Sequence, residues 1–219
     1  MFVGHYGVSF AAKKADDSIP LWVLFLAVQL LDVVWAPLVL LGIEKVRIVP
    51  GFTATNPLDL YYMPYTHSLV AAIAWSAAAA IAYRLWTGMS GRAGRGSRAA
   101  LLVGLAVFSH WVLDFVVHRP DLPLYDDTAK VGLGLWDRPL TAFGLEAALV
   151  LLGLRLYLPR RPERGAALVI FSLVMLAIQA LVFFGPPPAS GSQIAATALA
   201  SYVVFAIVAW WLADCRRAG

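Results

Sequence analysis

His110, Asp114 and His118 stand four residues apart in the stretch Ser109-His110-Trp111-Val112-Leu113-Asp114-Phe115-Val116-Val117-His118. A helix stacks such residues on one face, one above the other. They form a polar stripe at the end of a run that is apolar from Ala99 onward. Two imidazoles and one carboxylate at that spacing can hold a divalent cation, or His110 and Asp114 can pair by a hydrogen bond between packed helices. Ionisable side chains inside a membrane span are expensive, so they face a partner or a cavity and mark function. All four histidines of the chain, His5, His67, His110 and His118, lie in or at the edge of apolar segments. Asp32 sits in the middle of another apolar run, where it needs a metal, a histidine partner or a proton to carry. Glu146 can be a ligand, a general base or the partner of an arginine. His118 can be a ligand, a proton donor or a cap at the membrane surface.

Nitrogen and carboxylate donors without thiolate suit Zn²⁺, Mn²⁺ or Fe²⁺, with zinc the default. The single cysteine, Cys215, excludes an intrachain disulfide and any cysteine-based metal cluster. A bound Zn²⁺ lowers the pKa of its water to about 7 and polarises a phosphoryl or acyl oxygen. Arg119 and Arg138 flank the stripe's loop, where either can hold a phosphate by paired hydrogen bonds or anchor to lipid headgroups.

The elements that must position these groups are membrane helices. The 219 residues are 61% hydrophobic and 14% charged, with a mean hydropathy of +0.75. That is more apolar surface than a soluble domain of this size can bury, and the apolar runs approach the ~20 residues needed to cross a bilayer. Their spacing predicts an all-α polytopic bundle, one integral-membrane domain over 1–219. Six spans are expected, near 20–43, 65–86, 99–118, 139–158, 166–184 and 194–213. Residues 1–158 carry the candidate site, and 159–219 read as scaffold. Phe2 to Ala12 is too short to cross. Leu58 to Met63 reads as a short interfacial helix among tyrosines. The first residues do not form a cleavable signal peptide, because Lys13-Lys14 follows the apolar stretch.

The net charge of +4 does not point to nucleic acid. The basic residues cluster in loops, where they set topology. Lys13-Lys14, Arg92 to Arg98, Arg160 to Arg164 and Arg216-Arg217 fall on one side, which the positive-inside rule makes cytoplasmic, with both termini. The candidate site then opens toward the outer side. A hairpin turning at Asp16-Asp17 brings His5 and Asp32 to similar depth, about 13 Å above Lys14 and about 18 Å above Pro20. Such a re-entrant helix is tolerated where protein covers it.

Gly4-His5-Tyr6-Gly7, Asp32, Tyr65-Thr66-His67-Ser68 and His110-x-x-x-Asp114 together resemble the bacterial inner-membrane metal-dependent hydrolases, also described as LexA-binding, inner-membrane-associated hydrolases. That family is thought to be distantly related to zinc-dependent phospholipase C and P1 nuclease. The resemblance spans roughly Met1 to Glu146. It implies metal ligation by His5, Asp32, His67, His110 and Asp114, and hydrolysis of an ester or phosphoester of a small or lipid-like substrate. Glu146 and His118 then serve as base, ligand or proton donor. Lipid phosphatases of the PAP2 type need a Pro-Ser-Gly-His, alkaline ceramidases a His-x-x-x-His and helix-borne zinc proteases a His-Glu-x-x-His; none is present. Two other classes fit the same residues. One is a small cation- or proton-coupled transporter, which should show access from both faces. The other is a scaffold with a closed, structural metal.

Overall fold

The computed structural model describes residues 1–89, 96–160 and 162–215. It is 70% helical, with eight helices among those residues. These are α1 (His5–Ala15), α2 (Leu21–Val28), α3 (Leu30–Leu40), α4 (Leu69–Met89), α5 (Gly96–Val117), α6 (Pro139–Tyr157), α7 (Gly165–Phe184) and α8 (Gly191–Ala213). Helices α4 to α8 are each long and apolar enough to cross a membrane, and the bent pair α2–α3 makes a sixth crossing if taken as one. The chain is a multi-pass helical membrane protein. Large apolar side chains on the outward faces, such as Ile170, Leu173 and Ile207, are exposed because lipid, not protein, is their solvent.

Helix α1 lies inside the bundle against α2, α5 and α6. Its 11 residues rise only about 16 Å. The close approach to α6 depends on two glycines. A Cβ built on Gly7 would collide with the Leu149 carbonyl, and one on Gly153 with the Gly7 carbonyl. Small residues let two helix backbones touch, the usual device for tight packing in lipid.

The expected continuous span over 20–43 is broken. Helices α2 and α3 meet at Gln29 with a bend of 54°. Gln29 has φ −109° and ψ 8°, and its side-chain amide donates to the Phe2 carbonyl at 2.9 Å. The ladder itself is entered by a side chain from α5, where His110 Nδ1 takes the Val28 carbonyl at 2.7 Å, a recognised cause of such a kink. The expected interfacial helix at 58–63 is instead a strand. β1 (Lys45–Ile48) and β2 (Leu58–Tyr62) pair antiparallel, with Arg47 opposite Asp59. Val46 and Ile48 favour a strand, and the Arg47 Nε–Asp59 Oδ2 ion pair of 2.6 Å ties the two together.

This hairpin marks one end of the bundle. The opposite end is basic. There, buried Lys13 donates to the Asp17 and Ile19 carbonyls, and Arg98 donates to the Ala15 carbonyl. Asp214 accepts from the Leu21 and Trp22 amides at 2.8 and 3.3 Å, capping the start of α2 from the far end of the chain. Arg164 donates to the Leu212 carbonyl. Arg92, Arg95, Arg161, Arg216 and Arg217 of the topology argument lie outside the described residues.

Candidate metal centre

Helix α5 supplies His110 and Asp114, and His118, one residue past its end with its amide still bonded to the Asp114 carbonyl, completes the stripe; all three are buried. Asp114 is the hub. Its Oδ2 lies 3.1 Å from His110 Nε2, 3.8 Å from His67 Nε2 and 3.6 Å from His118 Nε2. Its Oδ1 lies 3.3 Å from His5 Nε2 and 2.5 Å from the Met1 amine. Asp32, in the first turn of α3, places Oδ1 3.2 Å from His67 Nε2 and 3.8 Å from His110 Nε2. Two overlapping triads result, His5/His110/Asp114 and Asp32/His67/His110, each with its ligand atoms within 4.8 Å of one another. The five residues come from α1, α3, α5 and the segment leading into α4.

The other ring nitrogen of each histidine decides what faces this point. His110 Nδ1 is 2.7 Å from the Val28 carbonyl, which the break between α2 and α3 leaves available. A carbonyl only accepts, so Nδ1 carries the hydrogen and Nε2 the lone pair. His67 Nδ1 is 2.7 Å from Thr66 Oγ1, whose own hydrogen goes to Glu44 Oε2 at 2.6 Å. The hydroxyl is therefore the acceptor, and His67 Nε2 too presents a lone pair. Glu44 also accepts from the Tyr65 and Thr66 amides. Burial holds its carboxyl above the ordinary glutamate range, against the opposing pull of His67 and these hydrogen bonds. His118 Nδ1 is 2.8 Å from Asp121 Oδ1, so its Nε2 faces Asp114 in the same way.

Imidazole lone pairs thus point at carboxylates. Both nitrogens of His5 and Nε2 of His110 are buried without a hydrogen-bond partner. The His5 and His110 rings stack 4.0 Å apart at 7°, which sets the two Nε2 atoms side by side. Orphaned nitrogens beside carboxylate oxygens, with Nδ1–H anchored behind in His67 and His110, are the donor set a divalent cation needs. The residues fit such an ion.

The remaining candidates have other partners. Among the described residues Glu146 pairs with no arginine: it accepts from the Phe2 and Gly4 amides at 3.1 and 2.9 Å, and from Gln179 Nε2 at 2.9 Å. It caps the start of α1 and so places His5. Arg119 donates to Asp137 and to the Phe52 carbonyl and lies over the Phe52 ring. Arg138 is exposed at the start of α6. Neither arginine lines the cavity at the centre. His118 is buried against Trp136 rather than capping a surface.

Several contributors are not legible as such in the sequence. Glu44, Thr66 and Asp121 orient histidines, and Gln29 ties down the segment before His5. From the helices expected to be scaffold, Gln179 reaches Glu146 and the Tyr202 hydroxyl donates to Asp32 Oδ2 at 2.7 Å. A polar residue recurring alone in an apolar helix was the available signal.

A cavity of about 300 Å³ opens from the centre, at the lower edge of small-molecule sites. Asp32, His67, Asp114 and His118 line its inner end; Leu58 and Leu60 of the hairpin, Trp35 and Trp136 line its walls. No family model matches the chain, and no curated protein or solved structure matches it significantly.

Proposed function

We propose that this protein is a membrane-embedded, metal-dependent hydrolase of an ester or phosphoester. One observation carries the reading: His67 and His110, anchored through Nδ1, present Nε2 lone pairs to the Asp32 and Asp114 carboxylates, and a cation between them turns that repulsion into ligation. His5, Asp32, His67, His110 and Asp114 would hold the ion, with zinc the first choice for nitrogen and oxygen donors. Such an ion supplies a water that ionises near neutral pH and polarises the oxygen of the scissile group.

The chain's own residues do the rest. Glu44 through Thr66, and the Val28 carbonyl, keep His67 and His110 in the ligating tautomer. Tyr202 holds Asp32 by its outer oxygen. Glu146, gripped by three donors, fixes the segment that carries His5. His118, anchored by Asp121 and lining the cavity, is placed to carry a proton to or from a leaving group at Nε2. The five ligands are those the resemblance to the inner-membrane metal-dependent hydrolases implies, whereas Glu146 here positions rather than ligates or takes a proton. The basic end of the bundle supports a cytoplasmic placement for Lys13, Arg98 and Arg164, with the hairpin end and the cavity on the outer side of a bacterial inner membrane.

The test is metal content by elemental analysis of detergent-purified protein, wild type beside His110→Ala and Asp114→Ala. One or more equivalents of a transition metal in wild type, lost from both variants, is the expected result. A wild type that binds no metal after reloading with Zn²⁺ or Mn²⁺ sinks the hydrolase reading.

A further inference from the structure

Helices α7 and α8 are neighbours in sequence yet do not pack along their length. Near the basic end they meet: Arg164 donates to the Leu212 carbonyl at 2.8 Å, and the Phe171 and Phe205 rings are 5.9 Å apart. Toward the hairpin end they part, and the cavity runs between them. Ile178, Val182 and Phe183 form one wall; Ile194, Ala198 and Ser201 form the other. The connection between the two helices is Gly185-Pro186-Pro187-Pro188-Ala189-Ser190. A proline run is extended and stiff, at about 3.1 Å per residue, so it acts as a strut that keeps the hairpin-side ends apart.

Along α7 and α8 the cleft is mainly apolar, with Thr197 and Ser201 the polar side chains before Gln179 and Tyr202 at the centre. Val182 lines it and is also 45% exposed on the outer surface, and Thr197 on the facing helix lines it and is exposed too. The surface at that mouth belongs to two membrane-spanning helices whose outward side chains, Leu181 and Val204 among them, face lipid. What can enter there is what the bilayer contains. An apolar slot that ends in carboxylates and imidazoles matches one amphiphile, with tail in the slot and head at the centre.

We propose that the cleft between α7 and α8 seats one acyl chain of a bilayer lipid, which reaches the centre sideways from the hairpin-side leaflet. The proposal takes the head chemistry from the hydrolase reading; the seat of the tail stands on the cleft alone. The full chain is reconstituted in phosphatidylcholine vesicles that contain a phosphatidylcholine with a diazirine in its acyl chain. After photolysis, adducts are mapped by peptide mass spectrometry. Adducts are expected on Ile178, Phe183 and Ala198, residues turned away from the general lipid surface. Ala198→Trp, which fills the slot, and Ile178→Trp, which fills it from the other wall, should each cut them about tenfold, the scale of a well-packed site made too small. Adducts on lipid-facing Leu173 and Ile207 should not change. Labelling of the three inner residues that is absent, or that persists in both folded tryptophan variants, overturns the proposal. Metal content measured on the same samples separates the two ideas. Tail labelling in a protein that binds no metal leaves the seat standing and removes the hydrolase.

Discussion

Thr66→Val should loosen metal binding without touching a ligand. The substitution keeps shape and removes one hydroxyl, which links Glu44 Oε2 at 2.6 Å to His67 Nδ1 at 2.7 Å. Thr66, Glu44 and His67 are 0%, 1% and 3% exposed, so bulk water does not replace the lost partner. His67 Nδ1–H is left unpaired, and the ring is free to turn or change tautomer. Losing an outer-shell partner of a metal histidine costs about 10- to 100-fold in affinity, which is about 1.4 to 2.7 kcal/mol. The unpaired buried groups cost a further ~1–3 kcal/mol of folding stability. The assay is Zn²⁺ affinity by competition with a chromophoric chelator, alongside thermal melting in detergent. Thr66→Ser should restore most of the affinity, since it restores the hydroxyl. Glu44→Gln combined with Thr66→Val should lose little more than Thr66→Val alone, because both act through one relay. A Thr66→Val protein that binds zinc as wild type does would refute the tautomer argument, and with it the main support for the metal centre.

Tyr202→Phe removes the hydroxyl bound to Asp32 and should weaken zinc binding by about tenfold while the protein still melts cooperatively; unchanged affinity would separate α8 from the centre. Gly7→Leu or Gly153→Leu should cost at least ~1–3 kcal/mol by forcing α1 away from α6, and should lower metal content in step, since α1 carries His5. Asp214→Ala uncaps α2 and should cost about 1 kcal/mol, read as a lower melting temperature with metal content preserved. Glu44 gives a pH signature. Its carboxyl is held above the ordinary 4.5 by burial, so the folded state keeps a proton that the unfolded state has lost. Stability from this group is full below that pH and declines as pH rises through the raised value. Glu44→Gln should flatten that part of the melting profile, and an unchanged slope would place the titration elsewhere.

The outline of this protein was legible in its sequence because lipid enforces simple rules. Apolar runs of spanning length became α4 to α8, and the i, i+4 stripe on α5 faces inward because three ionisable groups cannot face hydrocarbon. For the same reason every histidine in an apolar segment was a candidate, and all four meet at Asp114. What periodicity could not supply was the company those residues keep. The break at Gln29 is invisible in an uninterrupted apolar run, since the Val28 carbonyl is taken by His110 of another helix and the Gln29 amide by the Phe2 carbonyl. The strand at Leu58–Tyr62 exists because Lys45–Ile48 pairs with it, which propensity over six residues does not report. Glu146, Gln179 and Tyr202 acquired their roles through contacts across more than 30 positions of sequence. Which ring nitrogen of His110, His67 and His118 faces the centre was decided by Val28, Thr66 and Asp121. Residue type dictates that an imidazole can bind metal; only the packed fold, by satisfying Nδ1 from behind, dictates which lone pair is left to do so.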